Sequence, residues 1–446
     1  MSLQQVRAAT ARPELHEMAV SPAVADGIER IFGERLTPAQ VVERIVNDVA
    51  ARGDAAVIEY ARRLDAVELT PDTLFVSEDE LAAARRSLTS ADLAAIETAA
   101  EQIANYHQAQ KRQSFFITNS GGAILGQRVI PLDIVGCYVP GGRAPLVSSA
   151  LMCVIPARVA GVNQIVAATP TGPNGQIDAR LLVALQVAGA HRILRVGGAQ
   201  AIAALACGTQ SIPRVDKITG PGNVFVQLAK KMVFGRVGID ALQGPSEIVV
   251  IADDTADPEL VAADLLSQAE HDPEAAAILL TPSKQMLQAV LAEVERQVAL
   301  LSRVETARES LRRWGRAVLC RDLAEAFTLC DIIAPEHLQI MVEDPWHWLG
   351  RVKCAGAVFL GNYSTEPIGD YVAGTNHVLP TNGTARFSSP LGVDDFTRRS
   401  SVISFTPQAL SELGPSAVHI GEIEGLGAHA QAVRLRLDRL NQDGGV

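Results

Sequence analysis

Gln268 and His271 are two polar side chains in the stretch 265–273, which is predicted to be the end of a helix. Because residues three positions apart share one face of a helix, both polar tips can converge on one point. A histidine and a glutamine together offer nitrogen and oxygen ligands, and imidazole suits zinc. The alternative is structural, since a histidine near a helix end complements the helix dipole. Taken alone, the pair favours the structural interpretation.

Glu336 and His337 follow an apolar run, 331–335, that proline breaks and that we interpret as the end of a strand. Side chains that leave the carboxyl end of a strand commonly supply the chemistry of open α/β sheets. An adjacent Glu and His provide two separate proton acceptors for general acid–base catalysis. A Glu-His step on a surface turn explains the pair about equally well.

The segment 361–395 is rich in Gly, Pro, Thr, Ser and Asn and shows little periodicity. A loop of this length inside a compact chain is usually functional. Asp370 follows a glycine. Its carboxylate is a candidate third ligand for the metal that Gln268 and His271 are suited to bind. His377 stands nearby among small polar residues. A solvated loop is the alternative, although the segment carries few charges.

Glu424 and His429 are five positions apart, so an unbroken helix would point them in different directions. Gly425 and Gly427 between them predict a turn that brings both side chains toward one centre. The alternative is an exposed helix start.

Two glycine-containing turns are candidate anion sites. Gly197-Gly198 joins a predicted strand to a helix that carries Gln200, and Gly220-Pro221-Gly222-Asn223 opens another helix. Backbone N–H groups at such helix starts can hold a pyrophosphate. Neither turn matches the G-x-G-x-x-G pattern of dinucleotide-binding proteins, so ordinary tight turns explain them equally well.

The elements that must position these residues alternate between strands and helices from residue 134 onward. Short apolar runs predict strands at 134–139, 164–168, 192–196, 247–252, 276–280, 317–320 and 357–360. This alternation predicts an α/β fold of two Rossmann-like, doubly wound parallel sheets. The expected organisation is an N-terminal arm (1–31), a first α/β domain (32–137 and 247–390), a second α/β domain (138–246) and a C-terminal helical tail (391–446).

Composition excludes several classes of function. The chain of 446 residues has a net charge of −11 and no basic face, which argues against a nucleic-acid partner. No apolar run reaches the roughly 18 residues that span a bilayer, and no secretion signal is evident at the start. The six cysteines, none in a Cys-x-x-Cys pair, are typical of reduced cytosolic thiols, so we expect a cytoplasmic protein. A cysteine nucleophile is the less favoured alternative.

Taken together, these segments resemble histidinol dehydrogenase from about Arg52 to Arg436. The strings that carry the resemblance occur in the order of that family: Gly136-Cys137-Tyr138-Val139-Pro140-Gly141-Gly142, 198–206, Gly220-Pro221-Gly222-Asn223, Gly244-Pro245-Ser246-Glu247, Gln268-Ala269-Glu270-His271, Ala334-Pro335-Glu336-His337-Leu338, Gly369-Asp370-Tyr371, 376–381 and Glu424-Gly425-Leu426-Gly427-Ala428-His429. Asp331 is a local departure, where the family pattern leads us to expect Asn.

The resemblance implies the oxidation of L-histidinol to L-histidine, the end of histidine biosynthesis, in two NAD-dependent steps through the aldehyde. It implies one Zn²⁺ per subunit, held by Gln268, His271, Asp370 and His429. It implies substrate contacts from the metal ligands and from Ser246, His337 and Glu424, and NAD contacts at Tyr138, Gln200 and Asn223. It also implies a homodimer whose C-terminal tail carries Glu424 and His429 into the partner's active site.

Under this hypothesis His337 removes the alcohol proton and Glu336 activates water to attack the aldehyde. Three alternatives stay open. A zinc hydrolase would use the same zinc, Glu and His for water attack on an amide. A related dehydrogenase could act on another small alcohol, and a nucleotide-binding protein could have no catalytic activity.

Overall fold

The computed structural model describes residues 20–141, 145–172 and 174–443, which fall into two compact units. The first unit takes in Met1–Gln110 and Leu132–Phe396, and the second takes in Lys111–Pro131 and Thr397–Val446. Part of the expected N-terminal arm, residues 1–19, lies outside the described residues. So do Gly142 of the first family string and residues 444–446 of the expected tail.

Labels follow chain order. The strands are β1 (Phe115–Thr118), β2 (Ile124–Pro131), β3 (Ile134–Tyr138), β4 (Gln164–Ala168), β5 (Arg192–Leu194), β6 (Lys217–Thr219), β7 (Gly238–Ile239), β8 (Glu247–Ala252), β9 (Ala276–Thr281), β10 (Arg316–Leu319), β11 (His337–Met341), β12 (Ala357–Leu360) and β13 (Thr397–Ser404). The α-helices are α1 (Pro22–Phe32), α2 (Pro38–Arg52), α3 (Asp54–Asp65), α4 (Glu78–Ser87), α5 (Ser90–Gln108), α6 (Val147–Ala160), α7 (Ala179–Ala188), α8 (Gly198–Cys207), α9 (Val224–Val233), α10 (Pro258–Ala269), α11 (Lys284–Val298), α12 (Val304–Trp314), α13 (Leu323–Ile333), α14 (Pro345–Leu349), α15 (Glu366–Tyr371), α16 (Pro407–Ile423) and α17 (Gly427–Asp443).

The first unit contains two five-stranded parallel sheets, in the orders β5-β4-β3-β6-β7 and β10-β9-β8-β11-β12. Each order corresponds to 3-2-1-4-5, the first five strands of the classic doubly wound order, and the direction of winding reverses beside β3 and beside β8. The central strands are apolar and completely buried, as in β8 and β9, because helices cover both faces of a parallel sheet. The prediction of two Rossmann-like sheets is confirmed.

The helices before the first sheet have clear sequence reasons to begin where they do. Thr37 and Gln40 form a capping box at the start of α2, with Pro38 in its first turn, and Ser77 and Glu80 do the same for α4. Val41, Val42, Ile45, Val46 and Val49 then form the buried stripe of α2, as their helical spacing predicts.

The packing of these early helices differs from one of the expected domain groupings. Val41 and Ile45 of α2 share a core with Ile202 of α8 and Val226 of α9, so this part of 32–137 packs on the sheet of β3 to β7. The sequence pattern reports which face of a helix is apolar, but it does not report which sheet that face covers. The other expected boundaries stay predictions.

The second unit combines a small antiparallel sheet with two helices. Its sheet has the order β1-β2-β13, and β13 pairs with β2 from Thr397 opposite Pro131 to Ser404 opposite Ile124. Helices α16 and α17 follow, joined by a turn at Gly425, whose φ of 70° is left-handed as the predicted turn requires. Among the described helices, none is both long enough and apolar enough to cross a membrane.

A buried ion pair stabilises the turn that opens α9. The Nζ atom of Lys230, which is fully buried, lies 2.5 Å from Oδ1 of Asp240 and donates to the carbonyl oxygen of Gly220 at 2.9 Å. The Oδ2 atom of Asp240 accepts from the N–H of the same glycine at 2.7 Å. The pair therefore holds both backbone polar groups of Gly220 in place.

Replacing Lys230 with Met is expected to lower the free energy of unfolding by about 3–5 kcal/mol, because it leaves the Asp240 carboxylate buried without its cation. Denaturant unfolding measures the change. Lys231→Met, on the exposed side of the same helix, is the matched control and should change stability by no more than about 0.5 kcal/mol. Equal stability of the two variants would contradict the role assigned to this pair.

Candidate active site

A cavity of about 480 Å³ in the first unit brings together several of the residues that the sequence singled out. Ser246, His271, Glu336, His337 and Asp370 all line it. The first and the last of them, Ser246 and Asp370, are 124 positions apart in the chain. The fold thus assembles one polar centre from four separate motifs.

His337 is the first residue of β11 and is almost completely buried. Its Nδ1 atom lies 3.0 Å from the carbonyl oxygen of Glu247. Because a carbonyl oxygen only accepts, Nδ1 carries the proton and Nε2 is left with a free lone pair. Burial lowers the pKa of His337, although nearby Asp370 opposes the shift. A neutral imidazole with an unprotonated Nε2 is suited to act as a base.

Glu336 lies beside this imidazole, with its Oε2 atom 3.7 Å from Nδ1 of His337. The same carboxylate oxygen accepts the N–H of Glu247 at 3.0 Å. The backbone of Glu247 therefore positions both residues, since its N–H donates to Glu336 and its carbonyl accepts from His337. Burial raises the pKa of Glu336 well above its usual range, as expected for a carboxylate tuned toward proton transfer.

The expected position of this pair at the carboxyl end of a strand is wrong. The apolar run before it is the end of helix α13, which Ala334 terminates in a left-handed conformation with φ of 52°. Strand β11 begins only at His337 and runs parallel to β8 and β12. The pair therefore lies at the amino ends of the strands. A short buried apolar run does not distinguish helix from strand by periodicity, which explains the error.

Asp370 lies on α15, a short helix within the segment that was predicted to be a long loop. Its Oδ1 atom is 3.8 Å from Nε2 of His337, and its Oδ2 atom is 3.8 Å from Nδ1 of His377. Burial alone would raise the pKa of Asp370. The imidazoles of His377, His337 and His271 outweigh that effect and hold its pKa below the usual value. His377, for which the sequence suggested no role, is thus part of the electrostatic surroundings of Asp370.

Glu366 is a site residue that the sequence analysis did not assign. It stands one helical turn before Asp370 on α15, is almost fully buried, and accepts a hydrogen bond from the Oγ of Ser267 at 2.8 Å. Burial and the charge of Asp370 raise the pKa of Glu366 to about 7. Single ligand atoms of His337, Glu366 and Asp370 all lie within 4.8 Å of one another. The i, i+4 spacing of the two acids was the available signal.

Gln268 and His271 lie at a helix end, as the sequence predicts, but in different surroundings. Helix α10 ends at Ala269, as predicted, so Gln268 lies in its last turn and His271 just beyond it. His271 is exposed and lines the cavity. Gln268 is fully buried, and neither polar atom of its amide has a hydrogen-bond partner within the described part of the chain. An unpaired buried amide is costly, so a group that binds it would remove a penalty.

Glu424 and His429 belong to the second unit, where both are exposed. The residues that line the 480 Å³ cavity all come from the first unit. The turn between α16 and α17 was predicted correctly, whereas the role of these two side chains stays a prediction.

A second cavity, of about 300 Å³, contains two of the three residues expected to contact a dinucleotide. Gln200, Asn223 and Gly198 line this cavity. The third residue, Tyr138, lies next to it, because its hydroxyl oxygen accepts a hydrogen bond from the N–H of Gly198 at 3.1 Å. The Oδ1 atom of Asn223 caps α9 by accepting the N–H groups of the second and third helical residues. Tyr138 is the last residue of β3, and Gln200 and Asn223 follow β5 and β6, so all three lie at the carboxyl edge where doubly wound sheets bind ligands.

Gly220 shows why this edge needs glycine. Its φ is +115°, and an added Cβ would lie 2.0 Å from the carbonyl oxygen of Tyr138. Only glycine lets β6 turn so close to β3.

All six cysteines are free thiols, and four of them are buried. Burial raises the pKa of Cys137 to about 12 and that of Cys320 to about 11, and it also raises the pKa of Cys153 and of Cys330. A thiol with a raised pKa is a poor nucleophile, so these four residues do not support the alternative of a cysteine nucleophile.

A family model, two relatives and a solved structure are all described as histidinol dehydrogenase. The family model described as histidinol dehydrogenase matches residues 34–437. Histidinol dehydrogenase of Halalkalibacterium halodurans is 52% identical over 397 residues, which cover 89% of this chain and 93% of that protein. The enzyme of Syntrophotalea carbinolica is 50% identical over 398 residues, covering 89% and 92%. The crystal structure of histidinol dehydrogenase from Elizabethkingia anophelis has a TM-score of 0.90 and 36% identity, and the match covers 99% of this chain and 97% of that one.

With the family model spanning most of the chain and relatives at half identity over nearly their full length, the chain belongs to the histidinol dehydrogenase family of oxidoreductases.

Proposed function

We propose that the protein oxidises L-histidinol to L-histidine with NAD, in two steps through the aldehyde, at the 480 Å³ cavity. The observation that carries the proposal is the pairing of a neutral His337, whose Nε2 is free to accept a proton, with the buried carboxylate of Glu336. Two successive oxidations of an alcohol need two kinds of proton transfer, one from the alcohol and one from water. The pair supplies an acceptor for each.

The two residues have different parts in this proposal. In the first step Nε2 of His337 takes the hydroxyl proton of the alcohol while the carbon loses hydride to NAD. In the second step a carboxylate oxygen of Glu336 removes a proton from water, whose oxygen bonds to the aldehyde carbon. The protonated His337 returns its proton to the aldehyde oxygen, which gives the hydrate and leaves His337 neutral again. His337 then accepts the hydroxyl proton of the resulting hydrate as a second hydride passes to another NAD. Glu247 holds both side chains in place through its backbone.

The types of donor expected at this site fit Zn²⁺. The ligands would be Gln268, His271 and Asp370, with His429 of the partner subunit. The support is chemical: a buried amide without a partner among the described residues, an exposed imidazole and a carboxylate of lowered pKa. Zinc bound there would act as a Lewis acid and hold the amine and imidazole of the substrate. It is redox-inactive, so the electrons must pass to NAD.

The 300 Å³ cavity is the proposed site for part of the dinucleotide. Helix α8 begins there at Gly198, and its N-cap residue Gly197 makes no side-chain capping bond, so backbone N–H groups of the first turn can serve a phosphate. Tyr138, Gln200 and Asn223 surround this helix start or share its cavity. Their position at the carboxyl ends of the strands supports a nucleotide rather than the amide substrate of a zinc hydrolase.

The test of the proposed function is NADH formation from histidinol and NAD, measured spectrophotometrically before and after chelation of the metal. The proposal expects NADH, with histidine as the product, and loss of the activity on chelation until zinc is restored. No NADH from the zinc-loaded protein would overturn it. NADH formation from another small alcohol only would favour the related dehydrogenase.

Gln268→Leu keeps the approximate size of the side chain and removes both polar atoms. Substitutions of residues that support metal ligands typically weaken metal binding by about 10–100-fold. If Gln268 itself holds zinc, its replacement should weaken zinc binding by at least that much. Competition with a chromophoric chelator measures the affinity without relying on turnover. Gln285→Leu, at an exposed position of α11, is the control. Unchanged zinc affinity in the Gln268 variant would rule out this ligand.

We further propose a homodimer with shared active sites, in which Glu424 and His429 serve the partner's cavity. Two observations support this proposal. Glu424 and His429 are exposed, and the described residues that line the 480 Å³ cavity all belong to the first unit. Co-expression of the impaired variants His337→Asn and His429→Ala should then restore activity in mixed dimers. One of the two sites in such a dimer has neither substitution. No recovery in isolated mixed dimers would contradict sharing.

A further inference from the structure

Asp65 is a carboxylate of the 300 Å³ cavity to which neither the sequence nor the family motifs assign a role. It is the last residue of α3 and lines the cavity together with Gln200 and Asn223. Its Oδ2 atom accepts the Nε2–H of Gln200 at 3.1 Å. A residue far from the motifs is thus bonded directly to one of the proposed dinucleotide contacts.

The position of Asp65 is energetically unfavourable for an acid. Burial raises its pKa to about 6, with only the hydrogen bond from Gln200 opposing the shift. The C-terminal end of a helix carries a partial negative charge, which repels a carboxylate. The nearest arginine along the helix, Arg63, forms its ion pair with Glu59 and not with Asp65. Ala66 then adopts a left-handed conformation with φ of 56°, which is uncommon for a residue other than glycine.

The bond to Asp65 also fixes the amide of Gln200. With Nε2 committed to Asp65, the Oε1 atom remains, and it is buried without a hydrogen-bond partner in the described ranges. Gly198 approaches this atom so closely that an added Cβ would lie 2.7 Å from it. A buried acceptor without a partner, on the wall of a cavity, indicates a ligand that donates hydrogen bonds there.

The rest of the cavity matches a nucleoside and disfavours an additional phosphate. Apolar side chains such as Ile28, Phe32 and Phe225 provide surfaces for a base, and no lysine or arginine is among its described lining residues. A volume near 300 Å³ is at the lower end for ligand pockets, which suits one half of a dinucleotide.

Resting on the proposed function, we infer that Asp65 is the residue that selects NAD over NADP. Its carboxylate accepts hydrogen bonds from the hydroxyl groups of the adenosine ribose, with Oε1 of Gln200 as a second acceptor. The same negative charge repels a 2′-phosphate. Acidic residues read the ribose in other doubly wound folds, where they usually follow the second strand. Here the acid comes from a helix that precedes the sheet.

Calorimetric titration of the intact protein with ADP-ribose and with 2′-phospho-ADP-ribose tests this without catalysis. We expect ADP-ribose to bind at least about tenfold more tightly, as a like charge at close range predicts. Equal affinity, or tighter binding of the phosphorylated ligand, would overturn the inference. Because no histidinol is present, this outcome is separate from the proposed function, which fails only if histidinol and NAD yield no NADH.

Asp65→Asn provides the second test, because it keeps the shape and removes the charge. The ratio of ADP-ribose affinity to 2′-phospho-ADP-ribose affinity should fall about tenfold in this variant. Asp72→Asn, at an exposed position outside the cavity, should leave the ratio unchanged. If Asp65→Asn weakens both ligands equally, Asp65 acts only by positioning Gln200, and the claim of selectivity is wrong.

Discussion

Replacing Glu336 with Gln is expected to slow oxidation of the aldehyde by about 10²–10⁴-fold while oxidation of the alcohol changes much less. The carboxylate is the proposed base for water, and water takes part only in the second step. An amide cannot accept that proton. Its oxygen can still accept the N–H of Glu247, which Glu336 does at 3.0 Å, so the neighbouring His337 should keep its place.

The measurement supplies histidinol and the aldehyde separately and follows the first turnover of NAD in each case. Glu343→Gln, at an exposed position beyond β11, is the matched control and should leave both rates unchanged. An equal loss in both half-reactions would refute the division of labour between Glu336 and His337. Such a result would mean that Glu336 contributes equally to both oxidations and is not specifically the base for water.

Replacing His337 with Asn should have a broader effect, slowing both oxidations by about 10²–10⁴-fold each. Asn can still donate a hydrogen bond to the carbonyl of Glu247, as Nδ1 of the imidazole does at 3.0 Å. It lacks a counterpart of Nε2, the atom that is free to accept the proton in both steps. The loss should therefore appear in kcat for the two half-reactions alike.

His347→Asn is the control for this substitution, because His347 is exposed on α14. Thermal unfolding of the two variants separates a catalytic loss from a folding defect. If His337→Asn slowed only the aldehyde step, His337 would not be the base for the alcohol. The proposed order of proton transfers would then have to be reversed.

Much of the scaffold could be predicted from the sequence, because its elements have strong local signals. Strands β4, β8 and β12 begin and end where their apolar runs do, and the capping box of α2 marks its first residue. Buried parallel strands form uninterrupted apolar runs, which short exposed strands do not. The antiparallel sheet of β1, β2 and β13 was missed because its strands are largely exposed and lack that pattern.

The structure brings several of the predicted site residues together, but it places Glu336 and His337 at the other end of their strand from the one expected. In the first sheet, Tyr138, Gln200 and Asn223 lie at or after the carboxyl ends of strands, as the rule for doubly wound folds predicts. In the second sheet, Glu336 and His337 lie at the amino ends, next to the backbone of Glu247. Strand direction relative to a site depends on the tertiary fold, so the sequence motif alone could not reveal it.

Glu366 and Asp65 were missed for a related reason. Each is an ordinary acid in its local sequence, and only burial and a specific neighbour distinguish it. Ser267 donates to Glu366, and Gln200 donates to Asp65 from 135 positions away. Contacts of this range have no periodic signal in the sequence.

Anomalous X-ray scattering at the zinc edge, from crystals grown with zinc and histidinol, shows which side chains hold the metal. We expect one zinc per subunit, bound by Gln268, His271, Asp370 and His429 of the partner subunit, beside the free Nε2 of His337. A zinc bound elsewhere, or a loaded crystal in which Gln268 and Asp370 hold no metal, would contradict this expectation.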